Sequence, residues 1–398
     1  MKIKKNISKK IYLNLFTSSK LLISIAFVTY IFLLGTIEGS KGIIGNFIIP
    51  VLKSNIKMIP NYFSSMFVDT RSIYLDIPFE SMYSIEKKRS KAMERGRLIT
   101  SSSDYVSAKI SIDEVTKKCK VRLKGDLSDH WDSDKWSLRI KLSGQNTIMG
   151  MKKFSIQHPK TRGYINEYIW HKILKNENLI ALRYNFVRVY INGEDKGIYA
   201  IEEGFEKRLV ENNSLPEGPI FSFDEKIVWD SSSKIFDDNK NTFLNSLDLK
   251  LYNPSRTLGD SLKKRNFEVL NSLIEYWKQD KIRSAEIFDM KKFGKFWALC
   301  LLTGARHSQE LHNIRFYFNK YTSKIEPIGY DSGIFQSINV PRYNEVLEEK
   351  SLQKILFADN EFMYHFIKNL EKFSSNDYLK KLIEIIEVES SYGLKIIH

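Results

Sequence analysis

Asn313 and Asp331 bracket a stretch, HNIRFYFNKYTSKIEPIGYDSG (312–333), in which polar residues open and close two strand-like runs. IRFYF alternates, NKYTS has turn composition and KIEPIGY alternates again, so the segment predicts a β-hairpin. Folded about Thr322, the midpoint, the hairpin sets Asn313 opposite Asp331 at its open end. An amide oxygen beside a carboxylate is a hard-oxygen pair of the kind Mg²⁺ takes. Gly333 lets the chain turn away just after the acid. Asn and Asp also cap ordinary strand ends, so the meaning of the pair depends on what the rest of the chain brings to it.

The elements that must position the pair are legible as two halves. Residues 72–225 are strand-rich: SIYLDI, YVSAKISI, CKVRLKGD, KWSLRIKL and MKKFSI show period-two alternation or β-branched content. RYNFVRVYINGEDKGIYAIEE predicts a second hairpin, turning at Asn192-Gly193. TRGYINEYIWHKILKNENL predicts a helix, with Ile165, Ile169 and Ile173 recurring every four residues, and EKKRSKAMERGRL predicts another. Residues 240–398 carry helical periodicity on both sides of the 312–333 hairpin. The expected fold class is α+β, with a strand-rich lobe (about 72–225) and a helical lobe (about 240–398).

The first twenty residues hold six lysines and no acid, and Leu21–Ile37 carries no charge. Seventeen uncharged residues at ~1.5 Å each approach the ~30 Å of a bilayer core. The expectation is a basic cytoplasmic tail (1–20), an uncleaved single-pass signal anchor (21–37) with a cleaved signal peptide as the competing reading, a juxtamembrane connector (38–71) and a domain, 72–398, outside the cytoplasm at the cell membrane. The formal net charge is +15; the excess outside the tail, 15 − 6 = +9, forms no extended run, and no nucleic-acid partner is expected. Cys119 and Cys300 sit in no CxxC, which leaves no thiolate zinc pattern. His307 and His312 are five apart, not the four of H-E-x-x-H, so they do not form a zinc-protease pair.

Protein kinases hold two Mg²⁺ ions with a catalytic-loop Asn and the Asp of D-F-G, and here Asn313 and Asp331-Ser332-Gly333 stand in those places. The chain resembles one family more closely, the spore-coat protein H (CotH) kinase family of atypical secreted kinase-like proteins. VRLKGDLSDHWDSDKWSLRIKL (121–142) is similar to its RLKG…K-S-x-R-I-K motif, and KTRGYINEYIWHKIL to its Arg-containing helix. FVRVYINGEDKGIYAIEE is similar to its V-Y-I-N-G…G-x-Y…E-E hairpin, and the opening stretch to its H-N…Y…W-D-x-D segment.

The resemblance implies a two-lobed protein-kinase-like fold with Mg²⁺ and ATP between the lobes, transferring a phosphoryl group to a protein or glycan hydroxyl. It implies Asn313 and Asp331 as metal ligands. Lys141 and Arg139, two apart on one strand face, are the expected phosphate cations, with Lys135 and Lys124 as alternates. Gly125 lets backbone approach phosphate. Glu203 is the expected partner of the lysine and Glu167 the second candidate, while Arg162 either clamps phosphate or caps the fold. One departure stands out. Five residues before its metal Asn a kinase loop carries the Asp that accepts the hydroxyl proton; here that position is Ser308. Glu310 is the first expected substitute, with His307 and His312 as the others. The alternatives are a catalytically dead pseudokinase scaffold in envelope or surface-polysaccharide assembly, and an AMP-transferring enzyme that would not need the same base.

Overall fold

The computed structural model of the chain describes residues 70–224, 248–335 and 352–397. Seven strands carry the period-two alternation of the first half: β1 (Ser72–Asp76), β2 (Val106–Ile112), β3 (Val115–Leu123), β4 (Leu138–Leu142), β5 (Lys153–Gln157), β6 (Tyr184–Ile191) and β7 (Glu194–Glu203). They pair in the order β1-β2-β3-β4-β5-β7-β6 and close into a barrel, because β1 runs parallel to β6 from Ser72↔Arg188 to Leu75↔Ile191. One residue in two points inward. Ile73, Leu75, Ile110, Val121, Ile140, Phe154, Ile156, Val189 and Ile201 fill the interior with almost no solvent exposure. Asn192 and Gly193 turn β6 into β7, both with positive φ (50° and 83°) as a tight primed turn requires. The Asn192 side chain also accepts from the Ile77 N–H at 2.7 Å, which ties the hairpin to the end of β1.

A second sheet lies outside the barrel. It comprises β8 (Ile220–Asp224), β9 (Asp248–Leu251), β10 (Arg315–Asn319) and β11 (Lys324–Ile328), in the order β11-β10-β8-β9. Among the described residues the longer helices of the second half are α5 (Ser261–Lys278), α7 (Met290–Thr303), α9 (Asn360–Phe373) and α10 (Asn376–Ile397), preceded by short helices α3 (Lys207–Asn212) and α4 (Pro254–Leu258) and interspersed with α6 (Ser284–Ile287) and α8 (Leu352–Phe357). Among the described residues the two remaining α-helices are α1 (Phe79–Arg95) and α2 (Asn166–Asn176). Tyr168, Ile169, Trp170, Ile173 and Leu174 of α2 join the same core as Phe221, Phe293, Phe296, Trp297, Phe316 and Phe362. Gly304, with φ 70°, ends α7 in the left-handed cap its position favours.

This architecture corrects the expected two-lobed kinase-like plan. The strands of the first half form a closed barrel, and the second sheet draws β8 from one expected lobe and β10 and β11 from the other. Helix α2, from the strand-rich half, belongs to the core of the helical half. Val68–His398 form one compact unit. Alternation reveals which face of a strand is buried, but closure depends on β1 meeting β6 more than a hundred residues later. The expected tail, membrane anchor and connector up to residue 69 lie outside the described residues. Among the described residues no helix is long and apolar enough to cross a membrane. Cys119 and Cys300 are both free and buried.

Candidate functional site

Barrel residues that point away from the interior build one wall of a cleft. Arg122, Arg139, Ser155 and Glu202 are successive cross-strand neighbours on that outer face. Lys124 follows β3, and its N–H continues the ladder to the Ser137 carbonyl at 2.8 Å. The residue is 5% exposed. The ammonium donates to Glu202 Oε1 and to Gln157 Oε1, each at 2.6 Å, and Gln157 Nε2 donates to the other Glu202 oxygen at 3.1 Å. Burial holds Lys124 down to about 8 against the pull of Glu202. Burial also pushes the Glu202 carboxyl up, but the charges of Lys124 and Arg162 outweigh it and leave it below the usual carboxylate range. A buried pair of this kind survives only because each charge has its partner and further hydrogen bonds.

The opposite wall comes from the turn before α2 and from the end of the β10–β11 hairpin. Gly163 (φ 62°) closes a 3₁₀ turn, Pro159–Arg162, and leaves Arg162 facing the cleft. Arg162 donates to Asp331 Oδ1 at 2.8 Å and to the Tyr330 hydroxyl at 3.1 Å, and its Nε lies 3.8 Å from Glu202. Asp331 is held at φ 56°, a left-handed conformation that favours glycine. Glu167, 1% exposed in the first turn of α2, holds it there. Its carboxylate accepts from the Asp331 N–H at 3.0 Å and from the Ser332 N–H and hydroxyl, each at 2.8 Å. Burial opposes the Glu167 charge, but His171, Arg162 and the Ser332 amide bring the carboxyl down to about 2. Asp331 keeps 26% of its side chain exposed in the cleft. Burial pushes its carboxyl up, with Arg162 acting against that.

The cleft encloses about 1030 Å³, which is in the range of small-molecule and cofactor sites. It brings together Asn313, Asp331, Arg139, Gly125 and His307 from the residues expected at the site, with Lys124, Arg162 and Glu167 from the alternates. The hairpin register is shifted by one from the expected fold-over. Arg315 pairs with Ile328 and Asn319 with Lys324, so Tyr330, not Asp331, falls opposite Asn313 when the ladder is extended. Asn313 is nonetheless buried along the same cleft.

Four expected residues do not join this cleft, and one is buried behind it. Lys141 is exposed between Lys120 and Lys153, further along β4 than the cleft reaches. Lys135 donates to the Ile198 carbonyl at 3.3 Å and lies over the Tyr199 ring. Glu203 takes both ends of Arg183 and also accepts from its N–H, at the rim of the barrel. Glu310 pairs with His312 at 2.9 Å, beside the cleft. Ser308 is fully buried, and its hydroxyl donates to the Tyr330 carbonyl at 3.2 Å, supporting the turn that carries Asp331. The buried lysine–carboxylate pair beside the cleft is Lys124 with Glu202; Lys141 and Glu203 do not pair with each other. Alternation along β7 carries the signal: Tyr199 and Ile201 fill the barrel, which puts Glu203 on their face and Glu202 on the other. Gln157 and Tyr330 had no comparable signal.

Among the described residues, no cluster of three or more His, Cys, Asp or Glu side chains could hold a metal. Asp331 and Asn313 offer one carboxylate and one amide on a shared cleft. That donor set fits Mg²⁺, which keeps several waters and takes other ligands from substrate phosphates, better than a transition metal. The cations Lys124, Arg122, Arg139, Arg162 and Arg315 line the same space. A search of curated proteins finds no match to this chain. Residues 121–390, more than half of the chain, match the family described as CotH kinase protein. They include both walls of the cleft, and the chain belongs to the CotH kinase protein family.

Proposed function

We propose that the cleft binds a nucleoside triphosphate, ATP in the first instance, with Mg²⁺, and transfers a phosphoryl group to a hydroxyl. The observation that carries this reading is the buried Lys124–Glu202 pair facing the Arg162–Asp331 pair. Phosphoryl transfer depends mainly on positioning and on charge stabilisation. Lys124, oriented by Glu202 and Gln157, offers a fixed ammonium to phosphate oxygens. Arg139 and Arg122 extend the cationic wall, and Arg162 bridges it to Asp331. Asp331 and Asn313 would hold Mg²⁺, which supplies charge neutralisation between phosphates when bound. As the acceptor oxygen bonds to phosphorus, the bond to the leaving nucleoside diphosphate breaks and the hydroxyl proton needs a base. Buried Ser308 does not face the acceptor. His307 lines the cleft beside Asp331, and imidazole is the commonest general base.

One observation favours a second reading, a nucleotide-binding scaffold without transfer. Arg162 already engages the carboxylate that the metal would need. A thermal melt of the full chain with ATP alone, Mg²⁺ alone and both separates these readings. Ligand at ~100 times its dissociation constant should add ~2.7 kcal/mol. A shift that needs Mg²⁺ and Asp331 supports the transferase site, and an equal shift without Mg²⁺ supports the scaffold. A folded protein that no nucleotide stabilises has neither function.

A further inference from the structure

We propose that the groove between α1 and residues 100–106 docks an acidic polypeptide segment that carries the acceptor hydroxyl. This inference deepens the phosphotransferase reading and rests on it. The groove encloses about 370 Å³ and is lined on one side by Lys87, Lys88, Lys91 and Arg95, and on the other by Thr100, Ser103 and Asp104. Spacings of three and four residues put Ser84, Lys87, Lys88, Lys91 and Arg95 on one stripe of α1. The side of the helix next to this stripe buries Ile85, which reaches the groove floor, and Ala92, and ties Arg89 to the Trp131 carbonyl. None of the three glutamates of α1 lines the groove.

The charge on this stripe is not balanced by ion pairs among the described residues. Lys88 pairs with Asp104 at 2.8 Å. Lys87, Lys91 and Arg95 are exposed and make no ion pair among the described residues. Like charges four apart on a helix repel. The helix dipole favours Arg95 in the last turn, but it does not reach Lys87 or Lys91. A stripe of this kind is relieved by an anionic ligand.

Position and spacing say which ligand. Thr100 lines both the groove and the cleft, and Leu123 of the groove precedes Lys124 of the cleft. A chain lying in the groove therefore runs on toward the phosphates. Lys87, Lys91 and Arg95 recur at ~6 Å along the helix axis. Same-side residues of an extended polypeptide recur at roughly 6.8 Å, from ~3.4 Å per residue. Alternate phosphates along one nucleic-acid strand recur at about the same ~6.8 Å, so the lining of the groove decides between the two. No aromatic side chain lines the groove to stack a base.

The test is fluorescence anisotropy on the full chain at ~0.15 M salt, where weak surface attraction is screened beyond ~8 Å. The probes are a labelled Glu-rich peptide containing Ser, its Gln-for-Glu counterpart, single-stranded oligo-dT and a polyuronate. The acidic peptide should bind, and the neutral peptide should not. The triple variant Lys87→Glu/Lys91→Glu/Arg95→Glu should bind the acidic peptide roughly tenfold or more weakly, with an unchanged Mg-ATP melt shift. The milder Lys87→Gln/Lys91→Gln variant should lie between, and it serves if the triple variant does not fold. Equal binding by wild type and variant overturns the proposal, as does tighter binding of oligo-dT or polyuronate. If nucleotide gives no melt shift but the acidic peptide still binds through α1, the phosphotransferase reading fails while the groove stands.

Discussion

The Lys124 ammonium lies 2.6 Å from a Glu202 carboxylate oxygen, and both side chains are nearly sealed from solvent. Neither charge could stay in that place alone. Lys124→Ala should therefore destabilise the protein by about 3–5 kcal/mol, because it strands a buried carboxylate. The double variant Lys124→Met/Glu202→Leu should recover most of that loss in urea denaturation, yet show no nucleotide-induced melt shift. A double variant no more stable than the single would mean that the pair is not the energetic unit described.

Lys124 also predicts a dependence on pH. Its folded value is depressed from 10.5 to about 8, so the charged form is disfavoured by folding. That penalty is fully present below about 8 and disappears as pH rises toward 10.5. Stability of wild type relative to Lys124→Met should rise across this window, measured by denaturation at fixed salt. A flat difference between the two proteins would show that burial does not govern this lysine.

Glu167 works in the opposite direction. Its carboxyl falls from 4.5 to about 2 on folding, so its contribution is present above 4.5 and is lost as pH falls toward 2. The amount is on the order of 3 kcal/mol. Glu167→Gln should flatten that acid limb and loosen the Asp331–Ser332 turn. Faster amide exchange at Ser332 in the variant would report the loosening, and unchanged exchange would refute it.

Gly125 sits at φ 93°, and a Cβ there would lie 2.1 Å from the His130 ring. The ring itself is pinned by its contact with the Ser137 hydroxyl at 2.9 Å. Gly125→Ala should cost about 1–3 kcal/mol through the backbone alone, with the ring clash in addition. Adding His130→Ala should remove the ring contacts but leave the Cβ contact at 2.4 Å and the backbone strain. Thermal melts of the single and double variants separate the two contributions, and a neutral single variant would contradict the geometry.

Asp331→Asn should leave the fold largely intact, since Asn tolerates left-handed backbone better than most residues. It should abolish the Mg²⁺-dependent part of the nucleotide melt shift. Full retention of that part in a folded variant would rule Asp331 out as a ligand of the proposed Mg²⁺.

Some of this protein is determined locally, and the sequence by itself shows it. Alternation in SIYLDI, YVSAKISI and KWSLRIKL identifies strands, because each inward residue must be apolar. Ile165, Ile169 and Ile173 mark α2, and Asn192-Gly193 marks the turn between β6 and β7. Asn313 and Asp331 can be picked out because hairpin ends are set by short-range turn chemistry, although the register is off by one residue. Only the tertiary structure decided which lysine meets which acid. Lys124 and Glu202 are 78 residues apart, and no period along one strand says which strand lies beside it. The same holds for barrel closure, which joins Ser72–Leu75 to Arg188–Ile191. It holds for Ser308 too, whose place in the chain suggests catalysis and whose burial against Tyr330 makes it a support. Local patterns report the environment of each side chain; partners distant in sequence are chosen by packing and by the need to satisfy buried charge.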